Sequence, residues 1–402
     1  MTDIFGITGT NGKTTTAYML AEILRTAARE CALIGTVTHR IGNKVYEAIN
    51  TTPGREVLAN YLQEAQAQGI DAVVMEVSSH ALVQGRVSEV PIQYAAFMNL
   101  TQDHLDYHKS MEEYYLAKKK LFDFKSLTSA IINIDDSYGR RLSEELLKEH
   151  PQLRQITISI GDETADLKGT ILKEGFSGSE FMLAFSETVF SECAQARKFS
   201  LPRPGRHHIY DAMAALALAF SCGGFDMIDA AEDALAEFAG APGRFEIITN
   251  PKKDIVAICD YAHTPDALVN LLRTVREIKE NDAAAKRGRI ITVFGCGGDR
   301  DKTKRPLMGH IAGLMSDYTI ITSDNPRSED PLDIIGEIEE GLYDTAASYS
   351  VTADRRSAIM RAVMLARPGD IVVVAGKGHE TYQIVGNCKK HFDDREILRE
   401  LL

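Results

Sequence analysis

Lys13 and Thr14 close a glycine-rich run, G-I-T-G-T-N-G-K-T, that extends from Gly6 to Thr14 and leads straight into a helical pattern. Glycines let backbone N–H groups close around phosphate oxygens, and the helix N-terminus that follows adds positive partial charge. In such a loop Gly9, Thr10, Asn11, Gly12 and Thr15 line an ATP phosphate chain. Lys13 reaches the β and γ phosphates, and the Thr14 hydroxyl ligates Mg²⁺. The usual phosphate-loop spacing would put glycine where Ile7 stands, so this is the shorter form T-G-T-N-G-K-T. A glycine turn without a ligand is the plain alternative. The strand–loop–helix context weighs against it.

Three more stretches carry metal-binding and amide-forming residue types. They are E-V-S-S-H-A-L from Glu76, N-L-T-Q-D-H-L-D-Y-H from Asn99, and E-E-Y-Y-L-A-K-K-K-L-F from Glu112. Joining a carboxylate to an amine requires an activated carboxylate, and ATP can supply one as an acyl phosphate. Mg²⁺ then has to neutralise phosphate charge, so hard oxygen ligands and an imidazole are expected close by. Singly, each residue has a duller reading. Lys118 opens a triple-lysine run, which is usually a solvated helix face; His80 would cap a turn, and His108 would lie on the surface. Toward the C-terminus stand G-C-G-G-D-R (Gly295 to Arg300), D-N-P-R (Asp324 to Arg327) and G-K-G-H-E (Gly376 to Glu380). Asn-Pro alone favours a turn.

The elements that must position these residues alternate between strand and helix. Short β-rich apolar runs at Ile4–Ile7, Ala72–Val77, Ala95–Asn99 and Ala130–Ile134 read as buried parallel strands. Helical stretches such as Thr14–Arg29 and Met111–Phe122 lie between them. A second series follows at Ile255–Cys259, Ile290–Phe294, Thr319–Thr322 and Ile371–Ala375. The fold class is therefore α/β: a phosphate-loop ATPase domain with a mostly parallel sheet, then a smaller Rossmann-like α/β domain. The Pro-Gly of A-P-G-R-F-E marks the junction, giving domains at 1–243 and 244–402. Residues 155–200, with alternating polarity and glycines, read as an antiparallel appendage. Every motif falls where a strand ends, the edge at which open α/β sheets bind ligands.

Bulk properties narrow the function. At 402 residues the chain suits two or three domains, and 44% hydrophobic with 25% charged residues is the balance of a globular protein. A net charge of −12 argues against a nucleic-acid partner. The longest apolar run, Ala212 to Phe220, is about half a bilayer span, and no basic-then-apolar leader opens the chain; no membrane insertion and a cytoplasmic location are expected. Cysteines 31, 193, 222, 259, 296 and 388 form no C-x-x-C pair, so a zinc site or disulfide framework is not expected.

The ordered set T-G-T-N-G-K-T, N-T-T-P, E-V-S-S-H-A-L-x-x-x-R, N-L-T-x-D-H-L-D-Y-H and A-K-x-x-L-F resembles the Mur ligases, most of all their tripeptide-forming members. The resemblance spans nearly the whole chain. It implies that Glu76 and His104 bind Mg²⁺ and that Lys118 is carbamylated. That modification is physically sensible: an ammonium beside Mg²⁺ would be repelled, whereas a carbamate offers anionic oxygen. It further implies an acceptor site of Thr51, Thr52, Ser78, Gln84 and Arg86 for a muramoyl dipeptide, the arginine pairing with a carboxylate. A surface salt bridge is the competing reading of Arg86.

In that family D-N-P-R marks selection of meso-diaminopimelate over lysine, which assigns Asp324, Asn325, Pro326, Arg327, Arg300, Gly376 and Glu380 to the amino acid. Arg327 can pair with the distal carboxylate while Asp324 and Glu380 accept from the distal ammonium. Lysine would leave the guanidinium unpaired. The chain departs from the family where asparagines approach the adenine: His208 and Asp211 stand there. Arg244 and His263 keep the usual form. Family members also carry an N-terminal domain that holds uridine diphosphate, whereas the phosphate loop here lies close to Met1. On this reading the acceptor is not expected to depend on uridine as theirs does, and a separate chain bearing that domain is a candidate partner. Two other functions share some of these features: a folylpolyglutamate-type ligase, against which D-N-P-R and G-K-G-H-E speak, and a nucleotide-binding subunit without catalysis, against which Lys13, Glu76, His104 and Lys118 speak.

Overall fold

A computed structural model describes residues 2–186, 189, 195–250, 254–281 and 286–402. Cys193 lies outside them. The chain divides into two compact units, residues 1–240 and 241–402.

Eleven strands build the sheet of the first unit. They are β1 (Asp3–Thr8), β2 (Cys31–Ile34), β3 (Thr38–Ile41), β4 (Lys44–Glu47), β5 (Ala72–Glu76), β6 (Tyr94–Phe97), β7 (Ser129–Asn133), β8 (Arg154–Ser159), β9 (Leu167–Gly175), β10 (Gly178–Phe185) and β11 (Arg197–Leu201). Their order is β11-β10-β9-β8-β7-β6-β1-β5-β2-β3-β4. From β2 through β9 the neighbours run parallel, and antiparallel strands extend both edges. Residues 155–200 are thus no separate appendage. β8 pairs in parallel with β7, and β9 to β11 continue the same sheet.

Alternation along the strands feeds two cores. Phe5, Ile7 and Val74 point to one face, packed under Lys13–Thr26, Arg206–Gly223 and Ile228–Ala236. Ile4, Val73 and Met75 point to the other, with Tyr114, Tyr115, Leu121 and Phe122. Double-sided burial explains why these strands read as continuous apolar runs. The run from Arg206 to Ala236 is long and apolar enough to cross a bilayer by length and composition, which corrects the shorter span read from the sequence. Most of it is buried; its apolar surface packs on the sheet.

The second unit has six strands: β12 (Glu246–Asn250), β13 (Ile255–Asp260), β14 (Ile290–Phe294), β15 (Tyr318–Ile321), β16 (Tyr349–Val351) and β17 (Ile371–Ala375). Their order is β12-β13-β17-β14-β15-β16, all parallel except β12. A hairpin, β18 (Tyr382–Val385) and β19 (Cys388–His391), follows. Arg355 and Asp394, both fully buried, pair at 2.7 Å, and the Arg355 guanidinium also donates to the Ala375 carbonyl at 3.0 Å. This fixes the end of β17, from which Gly376 departs.

Candidate active site

β6, β1 and β5 are adjacent and parallel, so the loops after them share one sheet edge. The loop after β1 turns on Gly12, whose φ of +87° favours glycine. A Cβ on Gly9 would lie 2.8 Å from the Met98 Cβ, and one on Gly12 would lie 2.4 Å from an Asp211 carboxylate oxygen. The Thr10 N–H donates to the Asn99 carbonyl at 3.0 Å and the Asn11 N–H to the Asn99 side-chain oxygen at 2.9 Å. Lys13 curls back, its ammonium donating to the Gly9 and Thr10 carbonyls at 2.8 Å each. Thr14 and Thr15 begin the helix, buried. The residues fit a nucleotide phosphate chain: a glycine cradle in which side chains would clash, one lysine folded over it, and a helix starting beneath.

Glu76 ends β5 and is buried, yet it is surrounded by oxygen and N–H partners. Thr14 Oγ1 donates to it at 2.9 Å, Thr36 Oγ1 at 2.9 Å and the Thr36 N–H at 2.8 Å. Gly35 permits this approach, since a Cβ there would fall 2.2 Å from Glu76 Oε1. Thr36 escaped the sequence reading; its signal was the end of β2 beside β5. A carboxylate with two hydroxyls is a hard-oxygen set suited to Mg²⁺.

Lys118 is not the solvated lysine that its triple run suggests. It is buried, its ammonium donating to the Gly9 carbonyl at 2.8 Å and lying 4.6 Å from the Tyr114 ring centroid. Burial, reinforced by the Lys13 charge, pushes its pKa well below the ordinary lysine value. Lys119 instead pairs with Glu145 and Glu149 on the helix face. His104 has a left-handed backbone, φ +54°, and a largely exposed ring 6.1 Å from that of Tyr114. His80 and His104 lie edge to face at 4.9 Å. His108 is buried rather than superficial: it bonds Ser79 Oγ at 2.9 Å and stacks on Tyr114. Tyr114, unassigned from the sequence, therefore organises Lys118, His104 and His108.

The five acceptor candidates form one chain of contacts. Thr51 Oγ1 lies 3.1 Å from Thr36 Oγ1, and Thr52 Oγ1 donates to the Glu76 carbonyl at 2.8 Å. The Ser78 N–H donates to Thr52 Oγ1 at 3.0 Å, and Ser78 Oγ caps the next helix through the Ala81 N–H. Arg86 donates to the Thr52 carbonyl at 2.8 Å and to Gln84 Oε1 at 2.8 Å. Among the described residues no carboxylate pairs with Arg86, so these two hydrogen bonds replace the surface salt bridge of the competing reading. His208 and Asp211 stand apart from this group in the Arg206–Gly223 helix, both buried. Nδ1 of His208 contacts the Pro204 carbonyl at 2.6 Å, and Asp211 accepts from Thr16 Oγ1 at 3.3 Å behind Gly12. Asp211 thus braces the phosphate loop from within.

In the second unit, β17, β14 and β15 are adjacent and parallel, which brings the three C-terminal motifs to one edge. The Asn325 amide is engaged at both ends: Nδ2 donates to Glu380 Oε2 at 2.8 Å, while Oδ1 accepts from Lys377 Nζ at 3.1 Å and the Ile384 N–H at 2.9 Å. Arg327 is left-handed, φ +52°, its N–H donating to the Ile384 carbonyl at 3.1 Å and its guanidinium to the Gly298 carbonyl at 2.7 Å. Pro326 is buried before it, and a Cβ on Gly376 would meet Asp324 Oδ2 at 2.9 Å. Arg300 is exposed and donates to the Asp299 carbonyl. Elsewhere in this unit the Arg244 guanidinium lies over Tyr261, and His263 Nδ1 lies 2.9 Å from the Tyr261 carbonyl. Lys377 and the β18 hairpin were not foreseen from the sequence.

Residues 7–219 match the Mur ligase middle domain, and residues 243–378 match the Mur ligase, glutamate ligase domain. The UDP-N-acetylmuramoyl-L-alanyl-D-glutamate–2,6-diaminopimelate ligase of Alkaliphilus oremlandii is 44% identical over 99% of this chain and 77% of its own length. A solved structure of a ligase of that name aligns over 100% of this chain and 78% of its own, with 36% identity and a TM-score of 0.69. Escherichia coli FolC in complex with DHPP and ADP shares the fold, with a TM-score of 0.67 over 93% of this chain and 85% of its own at 19% identity. With both domain matches covering most of its length, the chain belongs to the Mur ligase family.

Proposed function

We propose that the chain is an ATP-dependent ligase that joins diaminopimelate to a UDP-N-acetylmuramoyl-L-alanyl-D-glutamate acceptor, the one in the relatives' names, in place of the uridine-independent acceptor expected from the motifs. The family is ATP-dependent, and the substrates are those named for the relatives. The observation that carries the reading is the cluster at the end of β5, where Thr14, Thr36 and Glu76 meet beside the phosphate loop while Lys118 is buried against Gly9. Lys13 and the loop amides orient ATP. Thr51, Thr52, Ser78, Gln84 and Arg86 hold the acceptor, whose carboxylate oxygen attacks the γ-phosphorus and expels ADP. The amine of diaminopimelate then attacks the acyl carbon and phosphate leaves. Thr14, Glu76, His104 and a carbamylated Lys118 would hold Mg²⁺, which when bound would neutralise phosphate charge. Lys118 is suited to carbamylation because only a neutral amine attacks CO₂, and its burial suppresses the ammonium. The helix carrying His208 and Asp211 serves the nucleotide; Arg300, Asp324, Asn325, Arg327 and Glu380 serve the amino acid. The setting is the cytoplasm, where ATP is available.

The test is mass spectrometry of products formed from ATP, diaminopimelate and the acceptor, with Lys118→Ala alongside. Wild type should yield the tripeptide product with ADP. Lys118→Ala should lose nearly all ligation and regain part of it with added acetate. Absence of the tripeptide from the wild type refutes the substrate assignment, and full activity in Lys118→Ala refutes the carbamate.

A further inference from the structure

Lys377 has no exposed side-chain surface and lies in none of the roles described above. Its ammonium donates to Asn325 Oδ1 at 3.1 Å and to Glu380 Oε2 at 3.0 Å. The Asn325 amide also donates to that same Glu380 oxygen at 2.8 Å. Among the described residues, hydrogen bonds to the Glu380 carboxylate therefore converge on Oε2 and leave Oε1 as the oxygen open to an incoming cation. A second effect follows from the other contact. Lys377 and the Ile384 N–H both donate to Asn325 Oδ1, which sets the amide orientation. Asn325 immediately precedes Pro326 and the left-handed Arg327. One buried ammonium thus fixes the rotamer of the acid and the loop that presents the guanidinium.

Resting on the substrate reading above, we infer that Lys377 is a positioning residue that sets the choice between diaminopimelate and lysine. The argument is one of charge as well as geometry. A distal ammonium–carboxylate pair is neutral, whereas the distal end of lysine is a bare cation. With Lys377 present, part of the Glu380 charge is already balanced, so a bare cation gains less there. With Lys377 removed, Glu380 carries an uncompensated charge that favours lysine, and Asn325 loses the partner that holds its side chain. Losing a hydrogen bond to a charged group changes binding by about 10- to 100-fold.

The experiment measures kcat and KM for diaminopimelate and for lysine in the full chain, for wild type, Lys377→Met and Lys377→Gln. Lys377→Met should raise the KM for diaminopimelate by about 10- to 100-fold with kcat changed less than about threefold. The ratio of kcat/KM for diaminopimelate to that for lysine should fall at least about tenfold. Lys377→Gln keeps a donor without the charge and should give a smaller KM rise with the same direction of selectivity. It also serves where Lys377→Met does not fold. A variant that melts lower but keeps the wild-type selectivity ratio overturns the proposal, because a merely structural lysine would do that. If wild type incorporates an amino acid other than diaminopimelate, the substrate reading falls. The positioning role is then decided by whether KM for the incorporated amino acid rises in the same variants.

Discussion

On the substrate reading proposed above, Arg327 separates diaminopimelate from lysine, because only diaminopimelate carries a distal carboxylate for the guanidinium. Arg327 is anchored through its N–H and through the Gly298 carbonyl, which leaves the rest of its guanidinium to meet a carboxylate. Arg327→Ala should cost about 2–4 kcal/mol in kcat/KM for diaminopimelate, two to three orders of magnitude, while lysine use stays level or rises. Equal loss with both amino acids would reject the selectivity role. Residues of this kind were legible in the sequence because their motifs are contiguous: D-N-P-R and T-G-T-N-G-K-T each carry donors and turn residues together. Thr36, Tyr114 and Lys377 were not. Each acts on a partner brought close only by sheet pairing or a hairpin, and a lone threonine, tyrosine or lysine has no local signature of that. The buried state of Lys118 was equally hidden, since a K-K-K run looks the same whichever lysine turns inward.

At the scale of elements, strand existence and the strand-end position of the phosphate loop, the Glu76 motif and the C-terminal motifs followed from apolar runs and glycines, while the Glu112–Phe122 motif lies on a helix. The continuity of β8 to β11 with the main sheet did not, because alternation along those strands signals half-burial without naming the neighbour. The span of the helical run from Arg206 was underestimated because polar and glycine residues interrupt its apolar stretch while the helix and its continuation carry on. The turn before Lys13 offers the sharpest test of an element. Gly12 combines a φ of +87° with an Asp211 oxygen 2.4 Å from where a Cβ would stand. Gly12→Ala should therefore cost about 1–3 kcal/mol of stability and weaken ATP binding by at least about tenfold. Gly54→Ala is the control, because nothing lies within 4 Å of its Cβ position and its φ is −64°. Calorimetric titration with ATP and thermal melts read both; equal behaviour of the two variants would mean that the loop tolerates a side chain.

For the molecule as a whole, the first unit gathers two hydrophobic clusters on opposite faces of its sheet, and the second has its own around β13, β14 and β17. Each unit is large enough to bury a core of its own. What the cores enclose also sets how stability responds to acid. His379, in the second unit, is largely buried, and its Nδ1 has no hydrogen-bond partner among the described residues. Burial, with the Arg244 and Arg395 charges adding to it, pushes its pKa down to about 3. The unfolded chain returns that imidazole to an ordinary value near 6.5, so below this pH the unfolded state binds more protons than the folded one. Stability is then full above about pH 6.5 and falls as the pH drops toward 3. By pH 5 the penalty from this residue alone is about 2 kcal/mol. Urea melts at pH 7 and pH 5 on wild type and His379→Gln should show the difference: the variant keeps a polar ring-sized group that cannot take up a proton, so its stability should fall by about 2 kcal/mol less between the two pH values. Identical pH dependence in the two proteins would place the imidazole in water, already able to protonate in the folded state.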